Sequence, residues 1–301
     1  MSGYLHPGYA ASLSEFGSPL SLPQCGGWVL TRRIPNSPDV DAMGCYPVFA
    51  CRDWSQLNVD LRRIQKDVVS LSIVTDPFGD YDTNYLHECF PDLVKEFKEH
   101  FVTNLERPLE SFVNPHHLRN AKRALEKVEV EKCPRPLALL DDWVNLYQTL
   151  VDRHNITGIA AFSRNSFAGQ LSVPGIAAFR AVENGTTVGM LLWYEQDNRA
   201  YYHLGAYSIR GYEIGASFAL FDYAIRYFCS QQFKWLNLGA GAGTGTGESG
   251  LTRFKKGWST DVRTAYFCGR IFDRQKYQQL VEATNTHSTD YFPAYRLGEF
   301  K

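Results

Sequence analysis

The pattern of hydrophobic and polar positions along the chain predicts a mixed succession of strands and helices. In the first third, three short segments combine β-branched and aromatic residues and end at turn-forming residues, which is typical of strands: 26–34, 45–51 and 68–74. The stretch 85–101 has helical spacing on either side of Pro91, so we expect helical structure there with a break at the proline.

The remainder of the chain carries stronger signals for its elements. Asn114 and Pro115 form a start signal for a helix, because asparagine caps the first turn and proline suits the first helical position. The pair Asn184-Gly185 lies between two alternating runs and predicts a β-hairpin. Apolar spacing then predicts a strand, a helix, a strand, a short helix, a strand and a final helix over 199–208, 215–232, 233–239, 249–257, 262–272 and 274–285.

Length and composition indicate a globular protein with a large core. The 301 residues suffice for one large domain or two of ordinary size, and 44% of them are hydrophobic. Lys and Arg number 31 against 32 Asp and Glu, so any nucleic-acid site has to be local. Neither a signal peptide nor an apolar run of membrane-spanning length occurs, and we expect a cytoplasmic protein without membrane insertion. The seven cysteines include no C-x-x-C pair, so we expect no disulfide framework and no metal.

A glycine-rich segment, "NLGAGAGTGTGESGLTRFKKGWS" at 237–259, is the most unusual feature of the composition. It is not a P-loop, because Gly247 is followed by Glu248 instead of the Lys-Ser/Thr pair that such a loop needs. It does not carry the dinucleotide-binding fingerprint either, since the position of the third glycine holds Thr or Glu in every frame. The segment is either a flexible surface connection or a loop whose backbone, at Gly239 and Gly241, closely approaches an acyl donor.

The segment "LNLG", the glycine-rich loop and "GLTRFKKGWST" together resemble the signature of the FemAB-like branch of the GNAT acyltransferase superfamily. Further stretches are similar to that family as well: "NPHHLRNAKRALEKVEVE", "YQTLVDRHN" and "YFPAYR". The resemblance covers residues 110–301 well and the first third only loosely. It implies an α+β fold of tandem GNAT-like lobes, a partial one at 1–112 and a nearly complete one at 113–301, with an active cleft between them.

The resemblance assigns catalytic work to a short basic helix after the glycine-rich loop. In Fem-type transferases the lysine of a Phe-Lys pair stabilises the negative charge on the attacked carbonyl, and that pair matches Phe254 and Lys255. Acyl transfer to an amine passes through an oxyanion, which a fixed cationic donor stabilises by several kcal/mol. The alternative is an ordinary surface lysine, a role for which Lys256 is the better candidate. We also expect Phe254 and Trp258 to contact the donor or the substrate.

A second family motif is only partly retained, namely the turn that binds the coenzyme A pyrophosphate in GNAT acetyltransferases. This turn reads Arg/Gln-x-x-Gly-x-Gly/Ala and holds phosphate with backbone N–H groups at a helix N-terminus. Here "RGYEIGA" keeps Arg210 and Gly215 but has Glu213 in place of the middle glycine. We expect Arg210 and Gly215 to bind the donor, while the glutamate argues against ordinary coenzyme A binding.

One candidate for the general base lies on the strand before this turn. Alternation predicts that Tyr201, His203 and Tyr207 share one face of the strand. His203 is then either a base with a pKa near neutrality or part of an aromatic core, and the two tyrosines are candidates for substrate binding.

The loop "DPFGDYD" offers further acid–base groups. Asp76, Asp80 and Asp82 lie close together in sequence and are suited to holding an acceptor ammonium or taking its proton. The alternative is local, because turns are rich in aspartate for reasons of backbone geometry. We predict a catalytic role for Asp76 and a substrate-binding role for Asp80.

We predict an N-acyltransferase that moves an acyl group from a coenzyme A thioester to a small-molecule amine, such as an amino sugar or a cell-envelope precursor. Acetyl-CoA or a longer acyl-CoA is favoured over aminoacyl-tRNA, the donor of the family's peptidoglycan-bridge members, because the chain shows no extended basic surface. A local ridge of Arg119, Lys122, Arg123 and Lys127 leaves the tRNA alternative open. A non-catalytic GNAT-like module that only binds a ligand is the third alternative.

Overall fold

The computed structural model describes residues 1–241 and 249–299. The described helices are α1 Pro7–Ser12, α2 Leu57–Ile64, α3 Thr83–Cys89, α4 Pro115–Leu125, α5 Leu140–His154, α6 Arg164–Leu171, α7 Ile209–Glu213, α8 Ala216–Ser230, α9 Gly250–Lys256 and α10 Arg274–Thr284. The described strands are β1 Ser18–Leu22, β2 Gly27–Arg33, β3 Val40–Gly44, β4 Ser70–Val74, β5 Leu93–Asn104, β6 Glu129–Cys133, β7 Ile176–Glu183, β8 Thr186–Gln196, β9 Arg199–Tyr207, β10 Trp235–Ala240 and β11 Asp261–Ile271. The central part of the glycine-rich loop, 242–248, lies outside the described residues, so its interpretation stays a prediction.

The chain divides into two compact units, which are interleaved along the sequence. The first unit comprises Met1–Gly3, Lys98–Ile156 and Ala161–Arg263, and the second comprises Tyr4–Phe97, Thr157–Ala160 and Thr264–Lys301. The predicted division of the chain into lobes at 1–112 and 113–301 stays a prediction. The assignment of a GNAT-like lobe to residues 1–112 stays a prediction.

The strands of the first unit follow one another in the order β5-β10-β9-β8-β7-β6. Neighbours pair antiparallel except for β9 and β10, which run parallel. The predicted hairpin joins β7 and β8 through Asn184 and Gly185, whose φ angles are 50° and 79°. Asparagine and glycine tolerate this left-handed region better than other residues, which explains why the pair is a reliable hairpin signal.

The apolar helix α8 covers one face of this sheet. Its residues Phe221 and Phe228 pack against Trp193 of β8, with ring centroids 6.0 and 5.2 Å from the tryptophan ring. Full burial of one large apolar side chain contributes about 1.5–3 kcal/mol, so the continuous apolar character of α8 accounts for its place in the core. Side chains on the other face of β9 pack against α5 and α6.

The second unit holds its strands in the order β1-β2-β3-β4-β11, with β3 and β4 parallel and the other pairs antiparallel. Its C-terminal segment is fixed by a buried ion pair. Nη2 of Arg296 donates to Oδ1 of Asp41 at 2.9 Å, and the hydroxyl of Tyr295 donates to Oδ2 of the same carboxylate at 3.1 Å. The "YFPAYR" stretch, which carries part of the family resemblance, therefore anchors the C-terminal segment to β3.

Two predictions for the first third of the chain are wrong. Residues 45–51 form a single isolated bridge instead of a strand. The stretch after Pro91 forms the strand β5 and is not helical. Its apolar residues Phe97 and Phe101 do have helical spacing, but the hydrogen bonds of this segment's C-terminal half come from β10, which lies far away in the sequence. A local pattern does not reveal a partner at that distance.

Candidate active site

The strands β9 and β10 separate within the sheet of the first unit. Their parallel pairing covers three residue pairs and ends at Tyr201 and Asn237. Beyond this point β9 continues along β8 to Tyr207, whereas β10 continues along β5 to Ala240. We name the opening between the two strands the fork. Because the ladder between β9 and β10 has ended there, backbone groups at the fork are available to a side chain or a ligand.

A β-bulge in β10 shapes one side of the fork. The register with β5 shifts between Asn237 and Gly239, so Leu238 is an extra residue. Gly239 has a φ of 74°, and its N–H donates to Oδ1 of Asn237 at 2.8 Å. Glycine adopts this left-handed conformation without strain. At Gly241, an added Cβ would lie 2.5 Å from Oγ1 of Thr252, so glycine permits the loop to approach the following helix.

The helix α9 brings Lys255 to the fork. Ser249 caps the helix, because its Oγ accepts a hydrogen bond from the N–H of Thr252 at 3.1 Å. Nζ of Lys255 donates to the carbonyl oxygen of Ala240 at 2.6 Å and lies 5.3 Å from the ring centroid of Tyr202. The ammonium therefore lies between the end of β10 and the first residue of β9 beyond the paired segment.

Lys255 is a buried residue of α9. It is 5% exposed, and this burial lowers the pKa of Lys255 to about 7, with the positive charge of Lys98 as a further cause. In the described ranges no carboxylate lies within salt-bridge distance of the ammonium. A buried cation without a counter-ion destabilises a fold, and groups with such shifted pKa values cluster at functional sites. The geometry fits a group that binds negative charge supplied by a substrate.

Two aromatic residues hold α9 in place. The ring of Phe254 packs edge-on against Phe221 of α8, with centroids 4.8 Å apart, and its carbonyl oxygen lies 3.0 Å from Nε2 of His117. Trp258 is almost fully buried and stacks on Phe221. These contacts fix the position of Lys255. The predicted contact of Phe254 and Trp258 with a donor or substrate stays a prediction.

The β5 side of the fork carries a histidine that the sequence analysis missed. His100 is buried and lies opposite Ala240 in the pairing of β5 with β10, and its Nδ1 lies 3.0 Å from Oδ1 of Asn237. Burial, together with the positive charges of Lys255 and Lys98, lowers the pKa of His100 to about 4, although the hydrogen bond with Asn237 raises it. The prediction of a helix over 85–101 gave no reason to consider His100, because its position opposite β10 follows only from the strand pairing.

The predicted base His203 packs against α6. Its Nε2 lies 3.0 Å from Oε1 of Gln170, whose amide nitrogen donates to the hydroxyl of Ser166 at 3.0 Å. Burial lowers the pKa of His203 to about 3. The ring lies among the aromatic rings of Tyr194 and Phe162, with centroids 5.0 and 6.3 Å away. The structure thus places His203 among aromatic rings, and its predicted role as general base stays a prediction.

The prediction that three side chains share one face of β9 is wrong for Tyr207. The register between β9 and β8 shifts at His203, which is an extra residue and reverses the alternation after it. Tyr207 therefore packs into the core beneath α8, with its ring centroid 5.4 Å from that of Tyr212, while Tyr201 and His203 lie on the other face. Both tyrosines are buried, and their predicted role in substrate binding stays a prediction.

The turn predicted to bind the donor's pyrophosphate contains the short helix α7, which Ser208 caps. Gly215, with a φ of 71°, directly precedes α8. The guanidinium of Arg210 donates to Glu183 at 2.7 and 2.9 Å and lies 3.4 Å from the carboxylate of Glu213. Two carboxylates therefore pair with the cation that a pyrophosphate would need, which adds to the departure from the family motif at Glu213.

The aspartates of the second unit's loop have local contacts. Oδ1 of Asp76 accepts from the N–H of Phe78 at 3.0 Å, and Oδ1 of Asp82 accepts from the N–H of Tyr85 at 2.7 Å and caps α3. Asp80 is exposed. The contacts of Asp76 and Asp82 agree with the backbone role of aspartate in turns and caps. The predicted roles of Asp76 and Asp80 toward an acceptor stay predictions.

Comparison with known proteins places this geometry in a known fold. Residues 115–256 match a family model described as an acetyltransferase (GNAT) domain. FemX has a similar structure, with a TM-score of 0.68, 14% identity, and coverage of 91% of this chain and 93% of that chain. For L-PGS from Bacillus licheniformis the TM-score is 0.60, with 14% identity over 90% of this chain and 93% of that chain. No curated protein sequence matches the chain.

A further solved structure is the C-terminal DUF2156 domain assigned to a lysylphosphatidylglycerol synthetase of Agrobacterium fabrum. Its TM-score is 0.65, with 12% identity over 93% of this chain and 92% of that chain. The solved structures confirm the predicted α+β fold of FemAB type, and the match of 115–256 to an acetyltransferase domain bears out the predicted acyltransferase. None of the helices in the described ranges is both long and apolar enough to cross a lipid bilayer.

Proposed function

We propose that this chain, as a FemAB-like acyltransferase of the GNAT superfamily, transfers an aminoacyl group from aminoacyl-tRNA to an amine. The observation that carries the proposal is the buried Lys255 at the fork, whose ammonium lacks a counter-ion in the described ranges. A donor carbonyl bound at the fork would develop its negative charge next to this ammonium, where the low-dielectric surroundings strengthen the attraction.

The protonation state of Lys255 suits this role. With a pKa of about 7, a large fraction of the molecules carries the ammonium at neutral pH. The oxyanion of the tetrahedral intermediate is an opposite charge at close range, so its formation raises the affinity of Lys255 for its proton. The stabilisation is therefore greatest in the intermediate. An interaction that is stronger in the intermediate than in the bound substrate lowers the activation barrier, whereas an equally strong one only tightens substrate binding.

The choice of donor departs from the preference for a coenzyme A thioester in the sequence analysis. The turn expected to bind the pyrophosphate has its cation, Arg210, paired with the carboxylates of Glu183 and Glu213. A phosphate group at this turn would have to displace these carboxylates and approach Glu213. The fold neighbour assigned to the synthesis of lysylphosphatidylglycerol is named for an aminoacyl product, which supports an aminoacyl donor.

A tRNA also needs a basic surface to contact, and α4 supplies one candidate. Arg119, Lys122 and Arg123 are exposed on this helix, and Lys127 follows directly after it. Neutralising several phosphates releases counter-ions, so the affinity for tRNA would fall steeply as the salt concentration rises.

The test is a comparison of donors by mass spectrometry with the purified protein and a panel of amines. One arm contains a mixture of aminoacyl-tRNAs, one contains acetyl- and longer acyl-CoA, and uncharged tRNA is the matched control. We expect acceptor products with aminoacyl mass increments in the first arm only. Transfer from an acyl-CoA without transfer from aminoacyl-tRNA would assign the donor to coenzyme A, the alternative that the acetyltransferase family model favours.

A further inference from the structure

We propose that His100 is the proton acceptor of the reaction, which deepens the proposed function and rests on it. His100 lies on β5, opposite Ala240, and Ala240 is the residue whose carbonyl oxygen accepts the hydrogen bond from Lys255. Side chains of directly opposite residues in an antiparallel pair are close neighbours. The imidazole of His100 and the ammonium of Lys255 therefore flank the same end of β10, at the fork.

The hydrogen bonds of Asn237 determine which nitrogen of His100 carries the proton. The N–H of Gly239 can only donate, so the side-chain atom that it contacts at 2.8 Å is the amide oxygen of Asn237. The same oxygen lies 3.0 Å from Nδ1 of His100, which must then carry the hydrogen. In the neutral ring Nε2 holds a lone pair, and the described residues donate no hydrogen bond to it. His100 is thus fixed as a proton acceptor.

The charges around His100 keep it neutral in the absence of substrate. Lys98 lies two residues earlier on the same face of β5, and Lys255 reaches the fork from α9; both lower the pKa of His100 in addition to its burial. Asn237, on β10, is uncharged. An oxyanion beside Lys255 would offset this repulsion, so the basicity of His100 would rise when the intermediate forms. The base is then strongest at the step that needs it.

The proposed reaction replaces the ester bond of the aminoacyl donor with an amide bond. The amine nitrogen attacks the carbonyl carbon of the aminoacyl ester, the C–N bond forms, and the π electron pair moves to the oxygen beside Lys255. Nε2 of His100 takes a proton from the nitrogen, which is now cationic. The oxygen's electron pair then re-forms the carbonyl, the bond to the ester oxygen breaks, and this leaving oxygen takes the proton from His100. The products are an amide and the free hydroxyl of the tRNA.

The first experiment measures His100 without any assay of activity. Ring ¹⁵N chemical shifts of the wild-type protein, assigned with a His100→Gln variant, report both the tautomer and the titration. We expect the Nδ1–H tautomer and no protonation until the pH falls well below 6, because the pKa of His100 is lowered to about 4. An Nε2–H tautomer, or a titration at the ordinary histidine value, would overturn the proposal.

The second experiment measures transfer. His100→Gln should lower turnover about a hundredfold, the usual contribution of a general base, while His116→Gln, an exposed histidine on α4, should change it less than about twofold. Asn237→Asp keeps an acceptor for Nδ1–H and adds a negative charge, so the acid limb of kcat/KM should move to higher pH by about one unit or more. A residue with only a structural role would not shift this limb.

The outcomes separate the two proposals. If the wild-type protein transfers the group and the turnover of His100→Gln is within about threefold of the wild-type value, the role of His100 is overturned and the proposed function stands. An unshifted acid limb in Asn237→Asp has the same consequence. If the wild-type protein transfers no group from any donor, the proposed function fails, and the role of His100 fails with it. If His100→Gln does not fold, the ring shifts are assigned by elimination from variants of the other histidines, and Asn237→Asp still decides the matter.

Discussion

The first unit contains two deeply buried histidines with an amide partner, and they differ in what else surrounds them. His203 places Nε2 against the oxygen of Gln170, within aromatic rings, on the α6 side of the sheet. His100 places Nδ1 against the oxygen of Asn237, next to Lys98 and Lys255. Burial lowers the pKa of both rings, so burial and an amide partner do not distinguish a core histidine from a catalytic one. The neighbouring charges do, because lysines lower the pKa of His100 in addition to burial, whereas burial alone lowers that of His203.

The two surroundings also differ in how their polar groups are balanced. Around His203 the amide of Gln170 is itself paired, with Ser166 on one side and the histidine on the other. At the fork, two lysines and a histidine lie together, and no carboxylate in the described ranges pairs with Lys255. A self-satisfied network rigidifies a core, whereas a buried ammonium without a carboxylate partner lowers stability unless an anion binds. We therefore infer a structural role for the surroundings of His203 and a role in the reaction for the residues at the fork.

The largest effect that we expect is a pH dependence of the free energy of unfolding that arises from Lys255 at the fork. The unfolded chain has an ordinary lysine, while the pKa of Lys255 in the folded protein is lowered to about 7. Between these values the unfolded state binds more protons, so this residue's contribution to the free energy of unfolding rises with pH, by at most on the order of 5 kcal/mol. Lys255→Met should therefore be more stable than the wild type at pH 6.5, and the difference should shrink toward pH 9.5.

Urea unfolding of both proteins at the two pH values measures this difference, and Lys256→Met, which removes an exposed lysine, is the control. In the control the difference from the wild type should stay the same at both pH values. A constant difference for Lys255→Met as well would show that Lys255 is not held as an unpaired buried cation.

In the core region around His203 we expect a loss of stability without a loss of chemistry. Gln170→Leu leaves Nε2 of His203 and the hydroxyl of Ser166 without their partner, and a buried polar group that loses its hydrogen bond costs about 1–3 kcal/mol. Turnover per folded molecule should stay within about threefold of the wild type, because neither residue lies at the fork. A loss of turnover as large as that expected for His100→Gln would restore His203 as the base.

The smallest effect is expected at the turn that departs from the coenzyme A motif. The ion pair of Arg210 with Glu183 lies at an exposed side chain, so Arg210→Ala should lower the free energy of unfolding by less than about 1 kcal/mol. We expect aminoacyl transfer from tRNA to remain within about threefold of the wild type. A large rise in KM for an acyl-CoA donor in this variant would instead show that Arg210 binds a pyrophosphate.

The elements that the sequence predicts correctly are those with local signals. The cap at Asn114, the Asn184-Gly185 turn and the apolar spacing of α8 all act within a few residues, so each can be recognised without knowledge of the fold. Lys255 was identified through a family motif. Its burial and the lowered pKa could not be predicted, because they depend on α8 and β10, which meet α9 only in the folded chain.

The errors fall where strand pairing between distant segments decides the outcome. The stretch that contains His100 has the apolar spacing of a helix, yet it pairs with β10 and thereby brings His100 to Asn237. Likewise, the alternation along β9 is broken by an extra residue at His203, which moves Tyr207 to the other face. Register shifts arise from the fit between two strands, and one strand's sequence does not contain that information.

The proposed mechanism depends on the ammonium of Lys255 at the fork, which would stabilise the oxyanion of acyl transfer. Its most direct test is the single-turnover rate with saturating donor and acceptor, measured for Lys255→Met and Lys256→Met alongside the wild type. We expect a rate at least about a hundredfold lower for Lys255→Met, the usual effect of removing one oxyanion donor, and little change for Lys256→Met. Equal effects of the two substitutions on a folded protein would contradict it.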